Sequence, residues 1–562
     1  MKNSSLFIIL QRMRKPFIVI IITHCIAIVG LLIIDAVDVN GQPYQLTIFD
    51  AVYFVSYMAT TIGFGETPFE FTYSQRLWVL FSIYMTVLGW FYGIGSLVSL
   101  LQDKLFLQEI EKTKFKKQIK NLKEKFIIIL GYDQVTSEII QKALDDGIRA
   151  VVIETDRSRV NDLILESFTP TVPCLLVDSY NNRVLEFAGI KKKNCKAIVC
   201  LFESDELNLR VSLLSKLLNK NVKVVAKSTT ETHTQNLKDL DIEIIANPFS
   251  IISSEVNLAL TAPNLLKIEK WLYGLDNLHA KVPVFPKGNY IICGFGRMGR
   301  SIYKKLQNNN VSATLIELDT QKVESFSKDE INNIIFGNAD DKQLLTDSGV
   351  NESVAIIACT NNDTINLSIL ATAKKINPQI ITIARENDID DLSIFESANI
   401  NHLFMPAKIL INKTTNALIN PLSDKFIRTI IKKDESFAAN LVKDLVQEID
   451  ENPLTFEITL NEQQAPTIHK FLKDKGCISL ELLTVSLHNQ KHKNNVIPLL
   501  LQKSDGTVLI RPSLNEQIHI DDEILFACDE YARNDIEYIC NNEYEFHYAL
   551  TGREKGIIFK RK

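Results

Sequence analysis

The sequence predicts a helical membrane region of two spans and a re-entrant helix. Behind it come tandem α/β units with doubly wound parallel sheets and a smaller β-rich carboxy-terminal lobe. Three observations carry this prediction. Residues 17–34 and 77–101 are long apolar stretches, the second without a charge. A short apolar segment ending in a glycine-rich turn lies between them. Downstream, landmarks recur at a separation that starts at 163 residues and drifts to 158. The 562 residues suffice for about three to four domains. A net charge of -5 points away from a nucleic-acid partner.

Both apolar stretches are long enough for a bilayer, which needs about 20 apolar residues. Arg12, Arg14 and Lys15 precede the first, as in a signal peptide, but Asp35, Ala36, Val37 and Asp38 follow it in place of a small-residue cleavage site. It therefore reads as a retained span. Basic residues flank the pair on the outside: those three before it, and Lys104, Lys112, Lys114, Lys116, Lys117, Lys120, Lys123 and Lys125 after it. The segment between carries Asp35, Asp38, Asp50, Glu66 and Glu70 against Arg76 alone. Both termini are therefore expected in the cytoplasm. The nine cysteines are scattered without a CxxC pair, so no disulfide framework or zinc site is expected.

The segment between the spans reads IFDAVYFVSYMATTIGFGE over 48–66. A helix over 48–59 is too short to cross, and a glycine turn at membrane depth must face protein or water. Gly63 and Gly65 can adopt backbone angles closed to other residues, which lets successive carbonyls face one axis. Four copies would stack oxygen rings that replace a cation's hydration shell, with the Thr61 hydroxyl as the innermost ring. Thr61, Ile62, Gly63, Phe64 and Gly65 resemble the selectivity filter of potassium channels, T-x-G-[YF]-G. That resemblance implies potassium ions in a pore. Where some channels carry a pore-helix carboxylate, this chain has Tyr57, so Glu66 needs another partner, with Tyr53 and Phe54 as candidates. The second span carries Gly89, Gly93 and Gly95. Gly89 is assigned as a gating hinge, with close packing of small residues as the alternative. His24 reads as a packed or capped side chain, and no helix repeats arginine as a voltage sensor does.

Residues 126–156 match 289–319, pairing Gly131 with Gly294 and Glu154 with Glu317. Later pairs are Asp178 with Asn338, Gly189 with Gly349, Asn208 with Asn366, Lys227 with Arg385 and Pro248 with Pro406. Such ordered recurrence marks a duplication, and strands alternating with helices give each copy a parallel Rossmann-like sheet. The second copy holds Gly294-Phe295-Gly296-Arg297-Met298-Gly299 between a strand and a helix, with Glu317 closing the next strand. The glycines allow backbone approach to phosphate at a helix N-terminus, and the acid can accept from ribose hydroxyls. Asn338, Asp340, Thr360 and Asp363 lie on the following strand ends. In the first copy Asp133 replaces Gly296 and Thr136 replaces Gly299, which disfavours an anion. That copy reads as structural, with a cation held by Asp133 and Glu154 as the alternative.

These copies resemble the RCK (KTN or TrkA-type) domain, a regulator of potassium conductance, over about 125–262 and 289–530. The resemblance implies a prokaryotic two-span potassium channel with tandem RCK domains, gated by a cytosolic ligand. It further implies a homotetramer in the plasma (inner) membrane, multi-pass and in contact with lipid, and a family role for Arg297 on bound phosphates. NAD(H) or an adenine nucleotide is the expected ligand, with calcium as the alternative. The expected division is a pore domain at 1–101, a linker helix at 102–124 and a first RCK unit at 125–262. A connector at 263–288, a second unit at 289–432 and a carboxy-terminal lobe at 433–562 follow. In the lobe FEITL, ELLTVSL, VIPLLLQ, TVLIRP and DEILFAC read as strands. A membrane-tethered dehydrogenase would need a proton donor beside the nicotinamide. No such His or Lys constellation or second catalytic domain is evident, so no enzyme is expected. A subunit serving a separate transporter would not need its own pore.

Overall fold

The computed structural model describes residues 4–280, 285–321, 333–387, 392–488 and 493–554. It divides into two compact units, Met1–Leu122 and Lys123–Lys562.

In the first unit helix α1 (Ser4–Ile33) packs against α3 (Tyr73–Leu101), with the short α2 (Ile48–Ala59) between them. Met13–Ile33 and Tyr73–Leu101 are long and apolar enough to cross a membrane. Thr47 starts α2 through a capping box, its hydroxyl accepting from the Asp50 N–H while the Asp50 carboxylate accepts from the Thr47 N–H. Ala27, Leu31, Ala51 and Val55 bury completely where the helices meet. The Trp78 indole N–H donates to the Ala27 carbonyl at 3.1 Å. Helix α4 (Lys104–Asn121) follows where the linker helix is expected.

The second unit holds two six-stranded parallel sheets. In the first, β1 (Phe126–Leu130), β2 (Arg149–Glu154), β3 (Cys174–Leu176), β4 (Cys195–Cys200), β5 (Lys223–Lys227) and β6 (Ile244–Ala246) lie in the order β3-β2-β1-β4-β5-β6. In the second, β7 (Tyr290–Cys293), β8 (Ala313–Glu317), β9 (Ile334–Phe336), β10 (Ala355–Ala358), β11 (Ile381–Arg385) and β12 (His402–Phe404) repeat it as β9-β8-β7-β10-β11-β12. Strands such as FIIIL bury every residue because helices cover both faces.

The repeats exchange helices. Helix α6 (Pro248–Thr261) ends the first repeat, yet its Phe249, Ile252 and Val256 lie in the core under the second sheet. Helix α9 (Pro406–Ile419) ends the second, yet its Leu410, Ile411 and Ala417 lie in the core of the first. Each such buried side chain contributes about 1.5–3 kcal/mol, so neither sheet is complete without the other repeat. Here α5 (Gln134–Asp145) is the first repeat's opening helix, α7 is Pro263–Leu272, α8 is Arg297–Asn308 and α10 is Pro421–Ile430. Helix α7 falls in the segment read as a connector. It repeats α10, and both begin with proline at the first turn. The duplication thus runs further than residue 262. Leu265, Trp271, Phe426 and Ile430 of these helices share one core with β-strands of the lobe.

The lobe sheet pairs Leu454–Thr459, Glu523–Cys528, Val496–Gln502 and Val508–Ile510, all antiparallel. ELLTVSL departs from expectation: Leu480–Thr484 is a 3₁₀ turn, started by Ser479, whose hydroxyl accepts from the Glu481 N–H. Its leucines bury without strand pairing because the turn presents Leu480, Leu482 and Leu483 to one core.

Candidate functional site

The glycine-rich turn follows directly on α2. Thr61, Gly63 and Gly65 have φ of 61°, 65° and 74°, so every second residue is left-handed. Glycine adopts this freely, whereas a β-branched residue there costs about 1–3 kcal/mol. Thr61 is held by its N–H donating to the Met58 carbonyl at 3.1 Å. Glu66 finds its partner in Tyr53, whose hydroxyl donates to Oε2 at 3.0 Å. Phe54 does not share that role, its ring lying edge-on to Tyr57 and Phe71. Tyr57 itself braces the turn, its hydroxyl donating to the Glu66 carbonyl at 2.8 Å. Gly89 packs against α1: an added Cβ would stand 2.9 Å from Thr23 Oγ1, and at Gly93 2.7 Å from Ile20 Cδ1. Gly89 therefore sits at a close helix contact, while Gly95 has open space. His24 Nδ1 lies 2.8 Å from the Ile20 carbonyl, a local cap.

In the second repeat the three glycines do different work. Gly294 has φ 93°, and a Cβ there would press on the Cys359 and Thr360 backbone at 3.1 Å. A Cβ on Gly299 would meet the Gly294 carbonyl at 2.2 Å, so only glycine lets α8 approach. Gly296 caps α8 with no side-chain hydrogen bond, and a Cβ on it would meet nothing within 4 Å. Among the described residues this helix N-terminus is therefore uncapped, leaving its first N–H donors to a ligand. Glu317 is buried, its Oε2 accepting from Phe295 N–H at 2.9 Å and its Oε1 from Asp319 N–H at 3.1 Å. These bonds orient the carboxylate at the end of β8.

Arg297 and Arg385 both lie over the Phe249 ring, at 4.8 and 5.6 Å. Burial, and the charge of Arg297, hold Arg385 below its ordinary value, and its Nε is buried without a hydrogen-bond partner. Two guanidinium groups beside an open helix N-terminus suit a phosphorylated anion. Sequence reasoning assigned neither Arg385 nor Phe249. The Lys227–Arg385 correspondence was the available signal for the first; Phe249 comes from the exchanged α6, which sequence order hides.

Thr360 stands on the end of β10, its hydroxyl donating to Asn366 Oδ1 at 2.8 Å. Asp363 accepts from the Asn387 N–H at 2.9 Å. Asn338 follows β9 and accepts from the Asp340 N–H at 3.1 Å, while Asp340 accepts from the Ser368 hydroxyl. The Met298 side chain is buried in the core under the sheet, so only its backbone can face a ligand.

The first repeat is closed at the same place. The Asp133 carboxylate caps α5, accepting from Thr136 N–H at 2.8 Å, and the Thr136 hydroxyl accepts from Asp133 N–H at 2.7 Å. Glu154 accepts from Tyr132, Thr155 and Asp156 N–H groups at 2.6, 2.5 and 2.8 Å. Both carboxylates are thus engaged in backbone capping, as the structural reading of this copy expects. Among the described residues no group of three or more His, Cys, Asp or Glu could hold a metal. The Phe202 ring stands over Gly131, where a Cβ would meet it at 2.8 Å, and Tyr180 packs on Phe202 with centroids 4.9 Å apart.

Residues 127–248 and 290–406 each match the TrkA-N domain family. The chain thus carries two segments of the TrkA-N type, also called RCK. Potassium channel protein 1 of Methanocaldococcus jannaschii is 26% identical over 183 residues, 32% of this chain and 54% of the relative. The Trk system potassium uptake protein TrkA homolog of Pyrococcus abyssi is 27% identical over 142 residues, 24% of this chain and 63% of the relative. The GsuK channel structure aligns over 98% of this chain and 100% of its own at 15% identity, with a TM-score of 0.49. The chain spans about half the length of the first curated relatives it matches.

Proposed function

We propose that this chain is a potassium-selective channel of the cell (inner) membrane, working as a homotetramer and gated by NAD(H) or an adenine nucleotide. The observation that carries the reading is the alternation of left-handed residues at Thr61, Gly63 and Gly65, directly after a helix too short to span and between two that can. In four copies that turn would stack carbonyl oxygens on one axis. The open cradle of the second repeat supplies the ligand site: donors at the start of α8, two arginines for phosphate, and Glu317 for ribose hydroxyls. A carboxylate at Glu317 would repel a 2′-phosphate, which favours NAD over its phosphorylated form. The relatives being potassium channels and potassium-uptake proteins supports transport over catalysis. Ligand acts by binding one state of the pore better than the other.

The test is reconstitution of the full chain in liposomes, with potassium and sodium flux measured with and without NAD, NADH, ADP and ATP. Selective potassium flux that responds to a nucleotide, and that Gly63→Ala abolishes, is expected. Equal potassium and sodium flux, or normal flux in Gly63→Ala, refutes the filter assignment. Flux indifferent to every nucleotide refutes the gating.

A further inference from the structure

The opposite edge of the first sheet holds a second, polar cleft. It has a volume of about 860 Å³ and lies between the starts of β1, β4 and β5 on one side and the α9–α10 turn with the lobe on the other. Lys125, Lys196 and Lys223 stand at the starts of these three strands. The strands are neighbours in the order β1-β4-β5, so the lysines form a row with steps of about 4.8 Å. Among the described residues none of the three forms an ion pair. Burial, and then the charges of Lys125 and Lys223, hold Lys196 below its ordinary value.

The duplication provides an internal control. Strand register aligns Lys196 with Val354 and Lys223 with Ile381, because Ala197 pairs with Lys223 as Ala355 pairs with Ile381. Lys125 corresponds to Gly288, on the spacing that pairs Gly131 with Gly294. There a Cβ on Gly288 would meet Val354 Cγ1 at 2.5 Å, and Val354 and Ile381 pack on the apolar core. The fold therefore makes this edge from apolar residues when nothing else is asked of it. In the first copy it carries three like charges, which cost free energy unless an anion relieves them.

The far wall explains why the row is not simply neutralised. Glu457 points into the same region, but its carboxylate is taken by the start of α10, accepting from Leu422 N–H at 3.2 Å and Ser423 N–H at 2.8 Å. Arg533 also lines the cleft, its guanidinium over the Phe456 ring at 5.6 Å and paired with Glu537 at 3.1 Å. Glu523 and Asp146 are the remaining acids of the cleft.

We propose that this cleft binds a small anion with linked phosphates, held by Lys125, Lys196 and Lys223 and bridging the first Rossmann unit to the carboxy-terminal lobe. The site is separate from the glycine cradle, at the other end of a different sheet. A chain of linked phosphates can follow a row of ammonium groups at strand spacing, whereas a single carboxylate reaches one of them.

The probe is inorganic triphosphate without magnesium, titrated by calorimetry into the full chain in lipid nanodiscs. All titrations use Arg297→Gln, which weakens phosphate binding at the second-repeat cradle, so that losses in the cleft variants report on the cleft. Binding is expected, with Lys196→Gln and Lys223→Gln each weakening it about tenfold and Lys196→Arg retaining it. Affinity must also fall as potassium chloride is raised, a reading that needs no cleft variant. No binding, binding unchanged in Lys196→Gln/Lys223→Gln, or binding indifferent to salt overturns the proposal. None of those results touches the nucleotide reading, which rests on Glu317 and is measured in the unaltered cradle.

Discussion

Installing the first repeat's plug in the second tests the difference between them directly. Asp133 caps α5 at φ -154° and ψ -178°, and Gly296 caps α8 at φ -78° and ψ -160°. Both are extended, so aspartate fits at 296 without strain, and its Cβ would meet nothing within 4 Å. Gly296→Asp should therefore keep the fold, adding a few tenths of a kcal/mol from the cap. Against a phosphate about 4 Å away, its carboxylate costs about 1 kcal/mol at the dielectric of water and about 4 at that of a protein surface. Losing the free helix terminus adds about 0.3–1 kcal/mol. The sum, about 1.3–5 kcal/mol, weakens nucleotide binding by a factor from about 10 to several thousand. Calorimetry with NAD and ADP on the full chain reads this, and a thermal melt checks the fold. Gly296→Asn, equal in size and neutral, separates charge from bulk and should bind far better than the aspartate. Unchanged affinity in Gly296→Asp, or equal losses in both variants, refutes the claim that an open helix N-terminus selects the ligand.

Other expectations follow from contacts already described. Tyr53→Phe removes the hydroxyl that donates to Glu66, worth about 1 kcal/mol per subunit at an exposed position; faster loss of potassium current during sustained opening is expected in single-channel records. Gly89→Ala forces a methyl against Thr23 Oγ1 and should destabilise the helix pair by about 1–3 kcal/mol, whereas Gly95→Ala, in open space, should melt as the wild type does. The His402 side chain is 11% exposed, with its Nε2 3.7 Å from Glu255, and desolvation with the nearby Lys270 pushes it down to about 3 from 6.5. Between those values the unfolded chain takes up a proton that the fold refuses, so stability should fall as pH drops from about 6.5 toward 3. His402→Phe, between Phe285 and Phe404, should flatten that part of a melting-temperature profile.

The local half of this architecture was legible because its signals are local. Span-length apolar runs, the twelve-residue helix before TIGFG, and the strand–glycine–helix–acid order of 289–317 each lie within one stretch of chain. The duplication was legible for the same reason, as self-similarity. What escaped were contacts between distant residues. Phe249 belongs by sequence to the first repeat, and only the exchange of α6 brings it under Arg297. Met298 looks like part of a ligand loop, but helical spacing turns its side chain into the core. ELLTVSL has strand composition, yet its leucines reach the core from a 3₁₀ turn. The charge of Asp133 is legible in the sequence, but its bond to the helix start, which occupies a donor as well as adding charge, is not.

The two repeats have diverged at the same structural point in opposite directions, and that asymmetry bears on how a ligand could act. The first cradle is filled twice over, by the Asp133 cap and by the Tyr180–Phe202 ring pair. Among the described residues the second has neither plug, and its two arginines rest on a ring carried by the other repeat. A phosphate drawing Arg297 and Arg385 toward the α8 terminus would change their contact with Phe249. Phe249 sits in the first turn of α6, which leads into α7, and α7 shares its core with the lobe. The path from the cradle thus runs through an exchanged helix and not through the sheet that holds the ligand. It follows that Phe249→Leu, which keeps the apolar core but removes the ring face, should leave nucleotide affinity within a few fold while uncoupling it from flux. Affinity and flux lost together would mean that Phe249 only shapes the site, and the path would have to be sought elsewhere.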